Sequence, residues 1–245
     1  MHILLSGIVG STAYGLAGPD SDIDRLGVFA APTLALLGLN TLPESVVTSG
    51  PDRTLHEAAK WLRLALGCNP TVMALVWLPE ELYEVRTELG HELITMRSSF
   101  LSAQRVRDAY LGYATQQFRR LEGRSDGSFS ADTRKRTAKR ARHLRRLCHQ
   151  GFELYASGRV QIGVTDPADY HRFGERVASG DTEVARRMLP VFEDAFNDTT
   201  SPLPERPDQA AAERWFKRVR RAYYEATDRR MNWISKAKKL EEEPA

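Results

Sequence analysis

Asp22 and Asp24 are separated by a single residue, Ile23, and follow a Gly10-Ser11 pair. Along a β-strand, residues two apart share a face, so the two carboxylates would point the same way and Ile23 would enter the core behind them. Carboxylates that close raise each other's pKa. A divalent cation removes the repulsion, and Mg²⁺ favours a few carboxylates plus substrate phosphates over an all-protein cage. An isolated Asp-x-Asp is commonly a solvated turn, but the Gly10-Ser11 pair sets this one apart. Glycine lets the backbone approach a ligand closely, and successive N–H groups in such a turn form an anion-binding nest. A phosphate grip followed by a metal-binding acid pair is what phosphoryl or nucleotidyl transfer requires.

The segments that would position these groups can be read from pattern and breakers. His2 to Gly7 reads as a first strand and Asp22 to Ala30 as a second, with Arg25 either a structural partner of the acids or a substrate-phosphate contact. Residues 31–51, rich in Pro, Gly, Leu and Thr, read as a surface excursion over the site. Asp52 to His56 reads as a third strand on which Asp52, Thr54 and His56 share a face. A helix over 57–66 follows, with Ala58, Leu62 and Ala65 as its apolar stripe and Lys60 and Arg63 on another face. Glu57 suits the first turn of that helix as an acid favoured by the dipole. Asn69-Pro70 is expected to end it. The apolar run Val72 to Trp77 suits a short buried helix or strand, and beyond Pro79 the chain reads as helical.

In the second half, Val106, Tyr110, Tyr113 and Leu121 fall on one helix face, before a polar loop at 123–130. Between Arg134 and Leu147 the chain carries eight Lys or Arg and no acid, with only a narrow apolar seam of Ala138, Ala141, Leu144 and Cys148. Like charges at helical spacing repel, so a helix of one sign beside a phosphate-handling site reads as a polyanion contact. Its His143 is either a packed residue or one that reaches substrate. Val160, Ile162 and Val164 alternate like a short strand, and a final helix is expected over 209–239. That helix carries a second basic patch, Lys217, Arg218, Arg220 and Arg221, continued by Arg229 and Arg230, with Tyr223, Tyr224 and Trp233 interleaved.

With 245 residues and 42 % apolar content, the chain has ample material for a core. The net charge of +3 does not by itself announce a nucleic-acid binder; the distribution of charge does. Cys68 and Cys148 are isolated thiols without metal-type spacing, as expected of a reducing compartment. No apolar run approaches the ~18 residues of a membrane span, and a strand begins too near Met1 for a signal peptide. The expectation is a cytoplasmic protein with no membrane contact.

The string Gly10-Ser11-x-Ala13-Tyr14-Gly15-Leu16, followed by Pro19-x-Ser21-Asp22-x-Asp24 and Gly27-Val28, resembles the signature of the DNA polymerase β-type nucleotidyltransferase superfamily. Together with Leu55-His56-Glu57, Lys60-Trp61, Asn69-Pro70 and Lys139…His143…Arg146, it is similar to the RNA-repair-associated, RlaP-like branch. The resemblance implies an α+β fold: a small mixed β-sheet, palm-like nucleotidyltransferase domain over 1–100, then a mainly helical substrate-binding domain over 101–245. It implies transfer of a nucleoside monophosphate from a nucleoside triphosphate such as ATP to a hydroxyl, most naturally an RNA end. Two Mg²⁺ ions, for which Mn²⁺ can substitute, would be held by Asp22, Asp24 and a third acid from a neighbouring strand. Asp52 aligns with that acid better than Glu57 does. By the same resemblance Gly10, Ser11, Arg25 and Lys60 would contact the nucleotide. Arg63, Lys139, Arg142, His143 and Arg146 would contact the RNA, and an RNA ligase is an expected partner. Where similar proteins often carry an acid after Asn-Pro, this chain has Met73-Ala74-Leu75, so no catalytic acid is assigned there. An aminoglycoside-type acceptor, a protein acceptor and an RNA-binding module without catalysis are the alternative readings.

Overall fold

The computed structural model describes residues 1–19, 21–39, 41–122 and 131–224. The chain opens with β1 (His2–Ile8) and a helical turn, α1 (Gly10–Ala13), then continues through β2 (Arg25–Ala30), a second turn, α2 (Thr33–Leu36), and β3 (Ser45–Ser49). There follow β4 (Asp52–Glu57), α3 (Ala58–Leu66), α4 (Pro70–Val76), β5 (Tyr83–Arg86) and α5 (Glu88–Thr95). The remainder is helical: α6 (Ala103–Glu122), α7 (Ala131–Ser157), α8 (Pro167–Ala178), α9 (Glu183–Arg186), α10 (Met188–Asp198) and α11 (Gln209–Ala222). Among the described residues the strands form one sheet in the order β3-β4-β2-β1-β5. Only β2 and β4 run parallel, so the sheet is mixed, and the protein is α+β as expected.

The second strand starts at Arg25, not at Asp22. Ile8, the last residue of β1, pairs with Arg25, and the backbone then leaves the ladder at Gly10, whose φ is +69°. A single further bond, Val9 N–H to Asp24 O at 2.9 Å, closes the end of the pair. Asp22 to Asp24 therefore have no strand to lie against, and Ile23 is 47 % exposed rather than buried. The two acids occupy a loop at the mouth of the sheet.

Other expectations need correction for similar reasons. The excursion over 31–51 contains α2 and an edge strand, β3, paired antiparallel to β4. Asn69-Pro70 begins a helix as well as following one: Asn69 Oδ1 accepts from Thr71 N (3.0 Å) and Val72 N (3.3 Å), and Pro70 takes the first helical position, where its missing N–H is harmless. Residues after Pro79 include the short edge strand β5 before helix resumes. The segment over 159–165 joins no sheet. Its carbonyls at Gln161 and Ile162 take both amide donors of Gln150, and Val164 N–H bonds to Tyr14 O. The helix expected over 209–239 is α11 as far as Ala222; its extension, with Arg229, Arg230 and Trp233, lies outside the described residues, as does the loop at 123–130.

One buried apolar cluster includes Leu4, Leu5 and Val28 of the sheet, Trp61 and Met73 of α3 and α4, Leu144 and Leu147 of α7, and Trp215 and Val219 of α11. It spans both sides of residue 100, so sheet and helices are packed as one body around the site. Among the described residues no helix is long and apolar enough to cross a membrane.

Candidate active site

A cavity of about 900 Å³ lies between the mouth of the sheet and α7. Gly10 and Ser11, the Asp22–Asp24 loop, and Asp52, Thr54 and His56 of β4 form the sheet side. Strand alternation delivers the β4 group as the sequence suggested, with Leu55 turned into a small core against Phe29 and Ala31 on the other face. Gly10 is required twice over. Its positive φ suits glycine, and a Cβ there would lie 2.1 Å from Asp24 Oδ2. The carboxylate of Asp24 is thus seated directly against the Gly-Ser turn. Burial holds its carboxyl above the usual carboxylate range; Lys139 opposes that shift, and the charges of Asp52 and Asp22 add to it. The three acids and Lys139 therefore share one electrostatic neighbourhood.

Glu57, the competing third acid, is elsewhere. It is 4 % exposed, caps α3 by accepting from Ala59 N at 2.8 Å, and binds Arg220, whose Nη2 donates to Oε2 at 2.9 Å while Nη1 lies 2.8 Å from Oε1. Asp52 lines the cavity and Glu57 does not.

Two expected contacts are not brought to the cavity. Burial of Ala58, Trp61, Leu62 and Ala65 fixes the rotation of α3, turning Lys60 and Arg63 toward the approach to β3. Lys60 Nζ donates to Ser45 Oγ at 2.8 Å, and Arg63 pairs with Glu44 on the exposed surface. Lys60 is linked to the cavity through its neighbours: Ser45 Oγ is 2.8 Å from His56 Nδ1, and His56 is pushed below its ordinary value by burial and by the Lys60 charge. Arg25 does line the cavity, but its Nε donates to Glu84 Oε1 at 2.7 Å, tying β2 across β1 to β5.

The opposite wall is α7, with Lys135, Arg136, Lys139, Arg142, His143 and Arg146. Asp132, in the first turn of α7, also lines the cavity, and the acid-free stretch from Arg134 to Leu147 takes some of its counter-charges from α8: Asp169 pairs with Arg145, and Glu175 with Arg134 at 3.3 Å. Arg142 packs flat over Gly174, where a Cβ would lie 2.9 Å from its Cγ. His143 is pushed down to about 3 by burial and by the cations Arg146, Lys139 and Arg120, so its ring is neutral at physiological pH. Arg146 is 3 % exposed and stacks with its Cζ 3.9 Å from the centre of the Tyr14 ring. Three cations of the second basic patch, by contrast, are engaged by acids: Arg218 is bidentate to Glu92, Arg220 holds Glu57 and Lys217 pairs with Glu213.

Sequence reasoning put Thr54 and His56 on the face of Asp52 without giving them a place in the site, and missed Tyr14 as a cavity residue and Gln150 as a support. His56 was within reach, being two strand positions beyond Thr54 on the face of Asp52. Nothing local marked Gln150, whose role depends on the distant carbonyls of Gln161 and Ile162.

The family model of the RNA repair pathway DNA polymerase beta family, RlaP, matches residues 1–189. The chain belongs to that family. The RlaP match includes every cavity residue named above, from both the sheet and α7. It implies a polymerase-β-like nucleotidyltransferase of RNA repair. No curated protein matches the chain.

Among the described residues no three His, Cys, Asp or Glu side chains are gathered closely enough to hold a metal ion by themselves. The donor set nevertheless suits a hard cation. Asp22, Asp24 and Asp52 offer oxygen only, they repel one another at Asp24, and they open onto a cavity that leaves coordination positions for phosphate oxygens.

Proposed function

We propose that this cavity transfers a nucleoside monophosphate from a nucleoside triphosphate to a hydroxyl on an RNA end, releasing pyrophosphate. The observation that carries the reading is the opposition, across one cavity, of a three-aspartate wall and a basic helix wall. Asp22, Asp24 and Asp52 would hold Mg²⁺, with Mn²⁺ able to replace it. When bound, the metal supplies charge stabilisation to the phosphoryl oxygens and favours loss of the attacking hydroxyl's proton.

The chain's own residues account for binding and orientation. Gly10 and Ser11 give the phosphates a close backbone approach behind Asp24. The cations of α7 attract the polyanionic acceptor and neutralise it within the cavity. Tyr14, clamped by Arg146, fixes the Gly-Ser turn to α7, so donor and acceptor walls keep one spacing, which is what in-line attack at the α-phosphorus needs. In that step the acceptor oxygen–phosphorus bond forms, the bond from the α-phosphorus to the α–β bridging oxygen breaks, the hydroxyl proton passes to solvent and pyrophosphate leaves with the negative charge.

The test uses the purified protein with Mg²⁺ or Mn²⁺, each of the four α-labelled nucleoside triphosphates, and three acceptor sets: an RNA pool, an aminoglycoside panel and lysate protein. Label in RNA that disappears in the Asp22→Asn/Asp24→Asn variant is expected. Label in RNA that persists in that variant, or label only in drug or protein, would overturn the reading.

A further inference from the structure

Arg146 is a buried cation whose hydrogen-bond partners and stacking ring are all neutral. Of its five N–H groups, one on Nη1 donates to Gln150 Oε1 at 2.6 Å and one on Nη2 to His143 Nδ1 at 3.0 Å. Nε has no hydrogen-bond partner, and among the described residues no carboxylate pairs with the guanidinium. Tyr14 covers one face. Gln150 cannot turn away to relieve the charge, because its amide donors are both spent on Gln161 O (3.0 Å) and Ile162 O (2.8 Å).

The arrangement also sets the tautomer of His143. Arginine only donates, so His143 Nδ1 must be the acceptor and the ring proton sits on Nε2. His143 and Arg146 both line the cavity, and the charges around His143 are Arg146, Lys139 and Arg120, all positive. Elsewhere on α7 the fold supplies counter-acids from α8; here it supplies none. A desolvated guanidinium without a counter-charge is costly to keep, and phosphate, like carboxylate, matches its planar fork of N–H donors.

We propose that Arg146, with His143 Nε2–H and Lys139, forms a subsite for a phosphate group of the substrate, beneath Tyr14 and across the cavity from the aspartates. It rests on the proposed function only in taking the carrier of that phosphate to be a nucleotide or an RNA end. The group is either the terminal phosphate of the acceptor strand or part of the donor polyphosphate.

The full-length protein is titrated with inorganic phosphate in the absence of metal and triphosphate, following the arginine side-chain Nε–H resonances by NMR. The Arg146 signal is assigned by its loss in Arg146→Lys. A saturable shift of that signal, absent with chloride at matched ionic strength and at least ten-fold weaker binding in Arg146→Lys and His143→Phe, is expected. An Arg146 signal that phosphate leaves unmoved overturns the proposal, as does unchanged phosphate affinity in Arg146→Lys. If His143→Phe fails to fold, the wild-type and Arg146→Lys titrations decide; if Arg146→Lys fails to fold, Arg146→Gln takes its place for both the assignment and the affinity. Competition then identifies the carrier, using short RNAs with 5′-phosphate, 3′-phosphate or only hydroxyl ends, and a non-hydrolysable triphosphate. Displacement by a phosphorylated RNA end places the acceptor there, and displacement by the triphosphate places the donor. Displacement by neither overturns the assignment to the substrate. Because no turnover is needed, loss of label transfer with phosphate binding intact would fault the proposed function alone.

Discussion

Lowering the pH should weaken this fold through one residue in particular. In the unfolded chain His143 takes a proton near the ordinary histidine value of 6.5, whereas in the folded protein burial and three neighbouring cations hold it to about 3. The stability due to its neutral form is fully present above 6.5 and is lost as pH falls from there toward 3. Each pH unit in that window removes about 1.4 kcal/mol, so roughly 2 kcal/mol should be gone at pH 5. For a chain of this size that corresponds to a fall in Tm of roughly 4–8 °C. The measurement is urea unfolding at pH 7.5 and 5.0, in phosphate-free buffer, of the wild type and of His143→Asn, whose amide oxygen can still accept from Arg146. His56 and His149 are also pushed below their ordinary value, but they are present in both proteins and cancel in the difference. The wild type should lose about 2 kcal/mol more than the variant. Equal losses, or a His143 imidazole that titrates near 6.5 by NMR, would refute the reasoning and with it the closely packed cationic surroundings of that ring.

Other expected outcomes follow from single contacts. Gly10→Ala places a methyl 2.1 Å from Asp24 Oδ2 in a left-handed backbone; on the proposed function, which puts that carboxylate at the reacting centre, label transfer to RNA should fall by about a hundredfold or more. Arg220→Ala leaves Glu57 buried and uncompensated and should lower unfolding free energy by about 3–5 kcal/mol in urea melts, a loss that Glu57→Gln in the same background should partly restore. Arg63→Ala, which removes only an exposed pair with Glu44, should leave transfer within about twofold and stability within about 1 kcal/mol.

How far the sequence carried depended on whether a feature was local. The β4 face of Asp52, Thr54 and His56 was legible because strand alternation needs no knowledge of the rest of the chain, and the buried stripe of α3 was legible from helical spacing. Ile23 was misread because the Asp-Ile-Asp-Arg-Leu-Gly-Val pattern suits a strand, yet β1 turns off at Gly10 and, beyond the one bond from Val9 N–H to Asp24 O, leaves the first three residues outside the ladder. The edge strands β3 and β5 were overlooked for a different reason. Each is short, each lies at the margin of the sheet, and Val46, Val47 and Thr48 were hidden among Pro, Gly and Leu. Lys60 and Arg63 carried the right charge but the wrong rotation: their helix is oriented by what it buries. The basic helix was partly legible, since its one sign was plain, but which of its arginines are neutralised depended on Asp169 and Glu175 in a different helix.

That division of α7 also explains why the cavity persists. Three aspartates face Lys139, Arg142 and Arg146 across it, and opposite charges this near would ordinarily collapse into ion pairs. Among the described residues none of the three aspartates is within 4 Å of those cations in an ion pair, although Asp24 senses the Lys139 charge. Collapse is resisted by the framework. The shared apolar core fixes the sheet against α7, the Tyr14–Arg146 stack and the Val164–Tyr14 backbone bond clasp the two walls at one side, and Gly10 seats Asp24 against its own turn. Asp24, half-buried, and Arg146, buried, are therefore held away from water with no ion-pair partner among the described residues, a state that is unfavourable until a cation meets the aspartate and a phosphate meets the arginine. A substrate bringing a divalent metal and a polyphosphate satisfies both at once, so its binding should be strongly cooperative with the metal, while either partner alone should bind only weakly.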